Sequence, residues 1–155
     1  MATSPDNPAS SGTAMATILA VDDSRINLKG VSRMLEGHFR VLTAESGPAA
    51  LQIAAAEPRP DLILLDVMMP EMDGYQVLAE LKAADRTRRI PVIFVTAMDG
   101  TDDEERGLDM GAVDYITKPI RPSIVLARVR TQLELKAARD ILSDQNAFLE
   151  SEVAR

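Results

Sequence analysis

The sequence predicts an α/β fold in which a five-stranded parallel sheet is covered by helices on both faces. Three observations carry this expectation. Ile18 to Val21 (ILAV), Leu62 to Leu65 (LILL) and Val92 to Val95 (VIFV) are apolar runs too short for helices and without polar alternation, as strands buried on both faces require. Segments with helical spacing lie between them, so the chain alternates βα throughout. Each run also ends abruptly in polar residues: Asp22-Asp23, Asp66 and Thr96.

Taken in order, the elements follow local rules. Residues 1–16 are rich in Ser, Thr, Pro, Gly and Asn without periodicity, which predicts a disordered leader. After the first strand, Leu28, Val31 and Leu35 mark a helix closed by Gly37, and Val41-Leu42 supplies a weaker second strand. Ser46 and Pro48 open the second helix, which continues through Leu51 and Ala55. Following LILL, Tyr75, Leu78 and Leu81 mark the third helix, with Asp73-Gly74 as the turn before it. After VIFV a fourth helix starts near the acidic TDDEER, where the helix dipole favours negative charge, and ends at Gly111. Val113 to Ile116 fills the fifth strand slot. From Pro122 to the end, one long helical pattern runs without Gly or Pro. The expected organisation is therefore a leader (1–16), a compact domain (17–121) and an extended fifth helix (122–155).

Composition narrows the chemistry. The 155 residues include no cysteine and a single histidine, His38, which removes thiolate and His-cluster metal sites and Ser/His nucleophilic catalysis. His38 follows Gly37 with no acidic partner, so it reads as a connection residue. A net charge of −7, without a basic stripe and interleaved aromatics, argues against a nucleic-acid surface. No apolar run approaches the roughly 18 residues of a membrane span, and the stretch MATSPDNPASSGTAM has neither a basic start nor an apolar h-region. The expectation is a soluble, cytoplasmic protein.

In a parallel sheet the C-terminal strand ends share one edge, where open α/β sheets bind ligands. Asp22-Asp23, Asp66, Thr96 and Lys118-Pro119 all fall there. Like charges ~4 Å apart cost roughly 4 kcal/mol per pair at an effective dielectric of ~20, so clustered carboxylates call for protons or a cation. With only hard oxygens available, Mg²⁺ is the natural occupant, or Mn²⁺ in its place. A phosphoryl group could then be neutralised by the cation and Lys118, while an in-line carboxylate acts as nucleophile. Taken singly, these residues have ordinary explanations: Asp-Asp as a helix cap, Lys118 as a loop lysine, Thr96 as a loop hydroxyl, Tyr115 as an amphipathic sheet residue. Their agreement in type and chain order is what exceeds those explanations.

Residues 17 to 120 resemble the receiver domain of two-component response regulators. The matching motifs are Asp22-Asp23, D-V-M-M-P-E-M-D-G from Asp66 to Gly74, Thr96-Ala97, and Tyr115 three residues before Lys118-Pro119. The resemblance implies a flavodoxin-like, doubly wound sheet of order 2-1-3-4-5 and phosphorylation at Asp66 by a sensor histidine kinase or phosphotransfer protein. It implies Mg²⁺ held by Asp23, Asp66 and the Met68 backbone carbonyl, with Asp22 acting mainly through water. Thr96, Ala97 and Lys118 would contact the phosphoryl group, Thr96 and Tyr115 would form the switch, and a cis peptide at Pro119 would fix Lys118. Met68 and Met98 would border the path of the hydrolytic water, and neither can deprotonate it, so the phosphate should persist. Such a domain is not an enzyme beyond its own phosphorylation and dephosphorylation. A haloacid dehalogenase-like phosphatase, which also uses an aspartate nucleophile, needs a second Asp where this chain has Met68.

In the last helix, Val125, Leu126, Val129 and Leu133 can cover the sheet. Beyond them Leu135, Leu142 and Leu149 recur every seven residues, with Ala138 and Gln145 between, as in a short coiled-coil seam. A homodimer is expected through this helix and the face of the fourth helix and fifth strand. The segment from Leu126 to Val153 also resembles linkers joining receivers to cyclic-di-GMP enzymes, above all HD-GYP phosphodiesterases; a stand-alone receiver acting through protein binding is the alternative.

Overall fold

The computed structural model describes residues 15–97 and 106–153, with side chains through residue 145. Its elements are β1 (Thr17–Val21), α1 (Arg25–Leu35), β2 (Arg40–Ala44), α2 (Gly47–Ala55), β3 (Leu62–Asp66), α3 (Gly74–Ala83) and β4 (Val92–Thr96). Helical residues 106–109 (α4), β5 (Asp114–Thr117) and α5 (Pro122–Val153) complete the described chain. The five strands are parallel in the order β2-β1-β3-β4-β5. This is the doubly wound arrangement that the sequence predicts.

Strand alternation divides the core. Leu19, Val21, Ile63, Leu65, Val92, Phe94 and Tyr115 point to one face and pack with Ala50, Ala54, Leu78 and Leu81 of α2 and α3. Ile18, Ala20, Leu62, Leu64, Ile93, Val95 and Ile116 point to the other and meet Leu28, Val31, Leu35, Val125 and Val129 of α1 and α5. Burial on both faces explains why β1, β3 and β4 are continuous apolar runs. Each fully buried aliphatic side chain contributes about 1.5–3 kcal/mol relative to exposure. This core therefore anchors the strand ends on which the polar residues sit.

Two strands differ from expectation. The second runs over Arg40–Ala44 rather than Val41-Leu42 alone, because as the sheet edge it is only partly buried and its exposed polar residues, Arg40 and Thr43, hide it in the sequence. The fifth begins at Asp114 rather than Val113, whose amide donates to the Val92 carbonyl at 2.9 Å just before the strand. Ser46 is the N-cap of α2, as the sequence predicts; Ser24 caps α1, and Asp73, read from the sequence as a turn residue, forms a reciprocal capping box with Gln76, while the predicted start of the fourth helix lies outside the described residues.

The last helix is continuous over 32 residues, on the order of 48 Å long. Val125, Val129 and Gln132 are buried and Leu126 and Leu133 partly so, whereas Leu135 and Leu142 are 50% and 58% exposed. Among the described residues, the seam positions thus project from the domain without a covering element. No described helix is long and apolar enough to cross a membrane. Most of the predicted leader, Met98 and the Leu149 side chain lie outside the described residues.

Candidate functional site

Backbone hydrogen bonds prolong the ladder past the strand ends and so fix the site. Asp22 N donates to Ala44 O at 3.1 Å, Val67 N to Val95 O at 3.2 Å and Lys118 N to Thr96 O at 2.8 Å. The turn after β3 then folds under the strand, where Gly74 N donates to Val67 O at 2.9 Å. Only glycine fits that approach: a Cβ at residue 74 would lie 2.6 Å from the Asp66 carbonyl oxygen and 2.8 Å from Val67 Cα. Thus the Asp-Gly turn also packs directly beneath the aspartate backbone.

The strand ends bring Asp22, Asp23 and Asp66 together, with one carboxylate oxygen from each within 4.8 Å of the others. Asp22 and Asp66 are buried and Asp23 is exposed. The Lys118 ammonium reaches both buried carboxylates, 3.3 Å from Asp22 Oδ2 and 3.5 Å from Asp66 Oδ1. The Ser24 amide and Asn27 Nδ2 donate to Asp22 at 2.9 and 3.2 Å, and the Met68 amide donates to Asp66 Oδ1 at 3.4 Å. Burial, then repulsion from Asp22, pushes the Asp66 carboxyl up to about 6, although Lys118 and the Met68 amide pull it back. Three carboxylates and one ammonium carry two net negative charges when ionised. An oxygen-only set with this charge fits a hard divalent cation.

Thr96 is buried at the end of β4, Ala97 is exposed at the loop that follows, and the Met68 side chain is 63% exposed. The Lys118-Pro119 peptide is cis, as is Glu57-Pro58, for which the sequence offers no expectation. Tyr115 is buried, stacked edge-on against Phe94 at 5.5 Å, with its hydroxyl 3.3 Å from that of Tyr75. Sequence reasoning assigns Tyr75 only to the apolar face of α3. It also omits Asn27, because a hydrogen bond formed across a helix turn to a strand-end carboxylate leaves no distinctive spacing.

Residues 18–130 match the family described as the response regulator receiver domain. The chain is 45% identical over 142 residues to a "Probable cyclic di-GMP phosphodiesterase" of Vibrio cholerae, an alignment covering 92% of this chain and 32% of the relative. It is 45% identical over 133 residues to the response regulator PleD of Caulobacter vibrioides, covering 85% and 29%. The chain therefore spans about a third of the length of these curated relatives. A crystal structure of the Vibrio cholerae chemotaxis protein CheY4 superposes with a TM-score of 0.72 and 31% identity, over 76% of this chain and 98% of that one.

Proposed function

The chain belongs to the response regulator receiver family, and on that premise we propose that Asp66 accepts a phosphoryl group from a phosphohistidine on a sensor histidine kinase or phosphotransfer protein. The observation that carries the reading is a buried aspartate at a strand end, flanked by two further carboxylates and a lysine that bridges two of the three. An oxygen of Asp66 attacks phosphorus as the P–N bond breaks, and its electron pair returns to the imidazole, which is then protonated. The product is an acyl phosphate.

Asp22, Asp23, Asp66 and the Met68 carbonyl would hold Mg²⁺, or Mn²⁺. The bound ion supplies charge neutralisation for the phosphoryl oxygens. Lys118 then exchanges its contacts with the carboxylates for one with the phosphoryl group, and Thr96 and Ala97 bind the remaining oxygens. At neutral pH a carboxyl near 6 is mostly ionised, the form that attacks. Met68 carries no group that could take a proton from water, which favours a persistent phosphate.

Thr96 and Tyr115 form the switch. Tyr115 lies in the core, the inward position its ring would take as phosphate draws the Thr96 hydroxyl toward it. We assign residues 17–121 to the receiver and 122–155 to a connector. Exposed Leu135 and Leu142, seven residues apart on a helix that outgrows its domain, favour a parallel dimer that gates an output enzyme. The cyclic-di-GMP relative favours an enzyme of that class as the output. A stand-alone receiver is the second reading, since exposed leucines also suit a hetero-partner.

Intact mass after treatment with acetyl phosphate and Mg²⁺ tests the central step. One added phosphate that disappears in Asp66→Asn is expected; an adduct that persists in the variant overturns the assignment.

A further inference from the structure

The Tyr115 ring is held by more than strand β5. Phe94 stands between two tyrosines, 5.2 Å from Tyr75 and 5.5 Å from Tyr115, both edge-on, and the two phenol oxygens meet at 3.3 Å. Above Tyr75, the Arg106 guanidinium carbon lies 4.1 Å from the ring centre, a cation–π stack from α4 onto α3. Gly107 follows it. A Cβ at residue 107 would come within 2.6 Å of the Tyr115 hydroxyl and 2.7 Å of both its ring and that of Phe94. The backbone of α4 is therefore pressed onto the same aromatic slot that Arg106 closes from the side.

We infer that Tyr75 is a positioning residue for the switch: its hydroxyl retains Tyr115 in the inward position, and its ring receives Arg106, so that α3, α4 and β5 move as a unit. The inference rests on Tyr115 being the switch residue of the proposed function. It goes further in placing half of the device on α3, in the segment that follows the phosphoacceptor turn. The path from Asp66 is short. Gly74 packs against the Asp66 backbone, and Tyr75 is its immediate neighbour in the first turn of α3. A displacement of the Asp66 loop thus reaches Tyr115 through the Tyr75 hydroxyl, independently of the Thr96 hydroxyl.

The composition makes this unusually easy to observe, because Tyr75 and Tyr115 are the chain's only tyrosines and it contains no tryptophan. With 3-fluorotyrosine incorporated, fluorine NMR of the full chain reports two resonances, and Tyr75→Phe leaves Tyr115 alone. That substitution keeps the ring, its contact with Phe94 and the Arg106 stack while deleting one hydroxyl. The expected result is a shift of the resting Tyr115 resonance toward its solvent-exposed position, with the outward population rising about fivefold, as loss of one hydrogen bond of ordinary net strength implies. Beryllofluoride, a phosphoryl mimic, should return it inward. Arg106→Gln should broaden or shift the Tyr75 resonance and move Tyr115 in the same direction as Tyr75→Phe. Identical Tyr115 resonances and solvent accessibility in wild type and Tyr75→Phe would overturn the inference. Failure of the phosphoacceptor reading would be seen separately, as no mass gain at Asp66, whatever the fluorine signals do.

Discussion

Removing the charge of Asp66 should stabilise the metal-free protein, although it abolishes the proposed chemistry. The Asp66 side chain is only 4% exposed, and its carboxyl sits at about 6 rather than 3.8. At ~1.4 kcal/mol per pH unit, ionising it in the folded state costs about 3 kcal/mol. The sign follows from the direction of the displacement. Below about pH 3 the carboxyl is protonated in both folded and unfolded chains and nothing is lost. Between pH 4 and 6 the unfolded chain releases its proton first, so stability falls, and by pH 7 the full cost is present. Asp66→Asn never ionises. In chelator, urea unfolding at pH 7 should therefore show the variant more stable by about 2–3 kcal/mol, with the difference mostly gone at pH 4 and vanishing toward pH 3. Excess Mg²⁺ should close the gap from the other side, since a ligand at a hundred times its Kd stabilises by about 2.7 kcal/mol. A variant no more stable than wild type at pH 7 without metal, or an advantage that persists unchanged at pH 3, would show that burial does not penalise the Asp66 charge.

Gly74→Ala forces a Cβ to within 2.6 Å of the Asp66 carbonyl oxygen, so unfolding experiments should show a loss of about 1–3 kcal/mol, with weaker Mg²⁺ binding by titration; a neutral variant would mean the turn is not packed as described. Met68→Glu places a carboxylate beside the proposed path of hydrolytic water, and loss of phosphate followed by intact mass should accelerate severalfold, whereas an unchanged rate would remove that residue from the path. Leu142→Asp puts a charge on the proposed seam of α5, and sedimentation should show a dimer of the parent chain shifted to monomer; a parent that is monomeric at tens of micromolar with and without beryllofluoride would remove the proposed dimerising role.

Much of this architecture is legible in the sequence for one physical reason. Strands buried on both faces must be continuously apolar, so β1, β3 and β4 declare themselves, and whatever polar residue ends such a run stands at the binding edge. Edge strand β2 escapes that constraint and is correspondingly faint, only Val41-Leu42 being recognisable within Arg40–Ala44. Asp22, Asp23, Asp66 and Lys118 are visible because each stands at the end of an apolar run, and three-dimensional proximity follows from parallel order. The Tyr75–Tyr115 contact is invisible because it joins residues 40 apart whose periodicities are those of ordinary core positions. Likewise Gln132 reads as a solvent residue of a helix, yet it is 8% exposed where α5 crosses the domain. Such placements depend on how helices pack onto the sheet, which local spacing does not encode.

Phosphoryl transfer to Asp66 is tested by trapping the acyl phosphate where it forms. The protein, incubated with a phosphorylated histidine donor and Mg²⁺, is reduced with borohydride, which converts an aspartyl phosphate to homoserine, and is then mapped by peptide mass spectrometry. Homoserine is expected at position 66 and at neither 22 nor 23. Reduction at Asp22 or Asp23, or phosphate retained on His38 with Asp66 intact, would contradict that transfer.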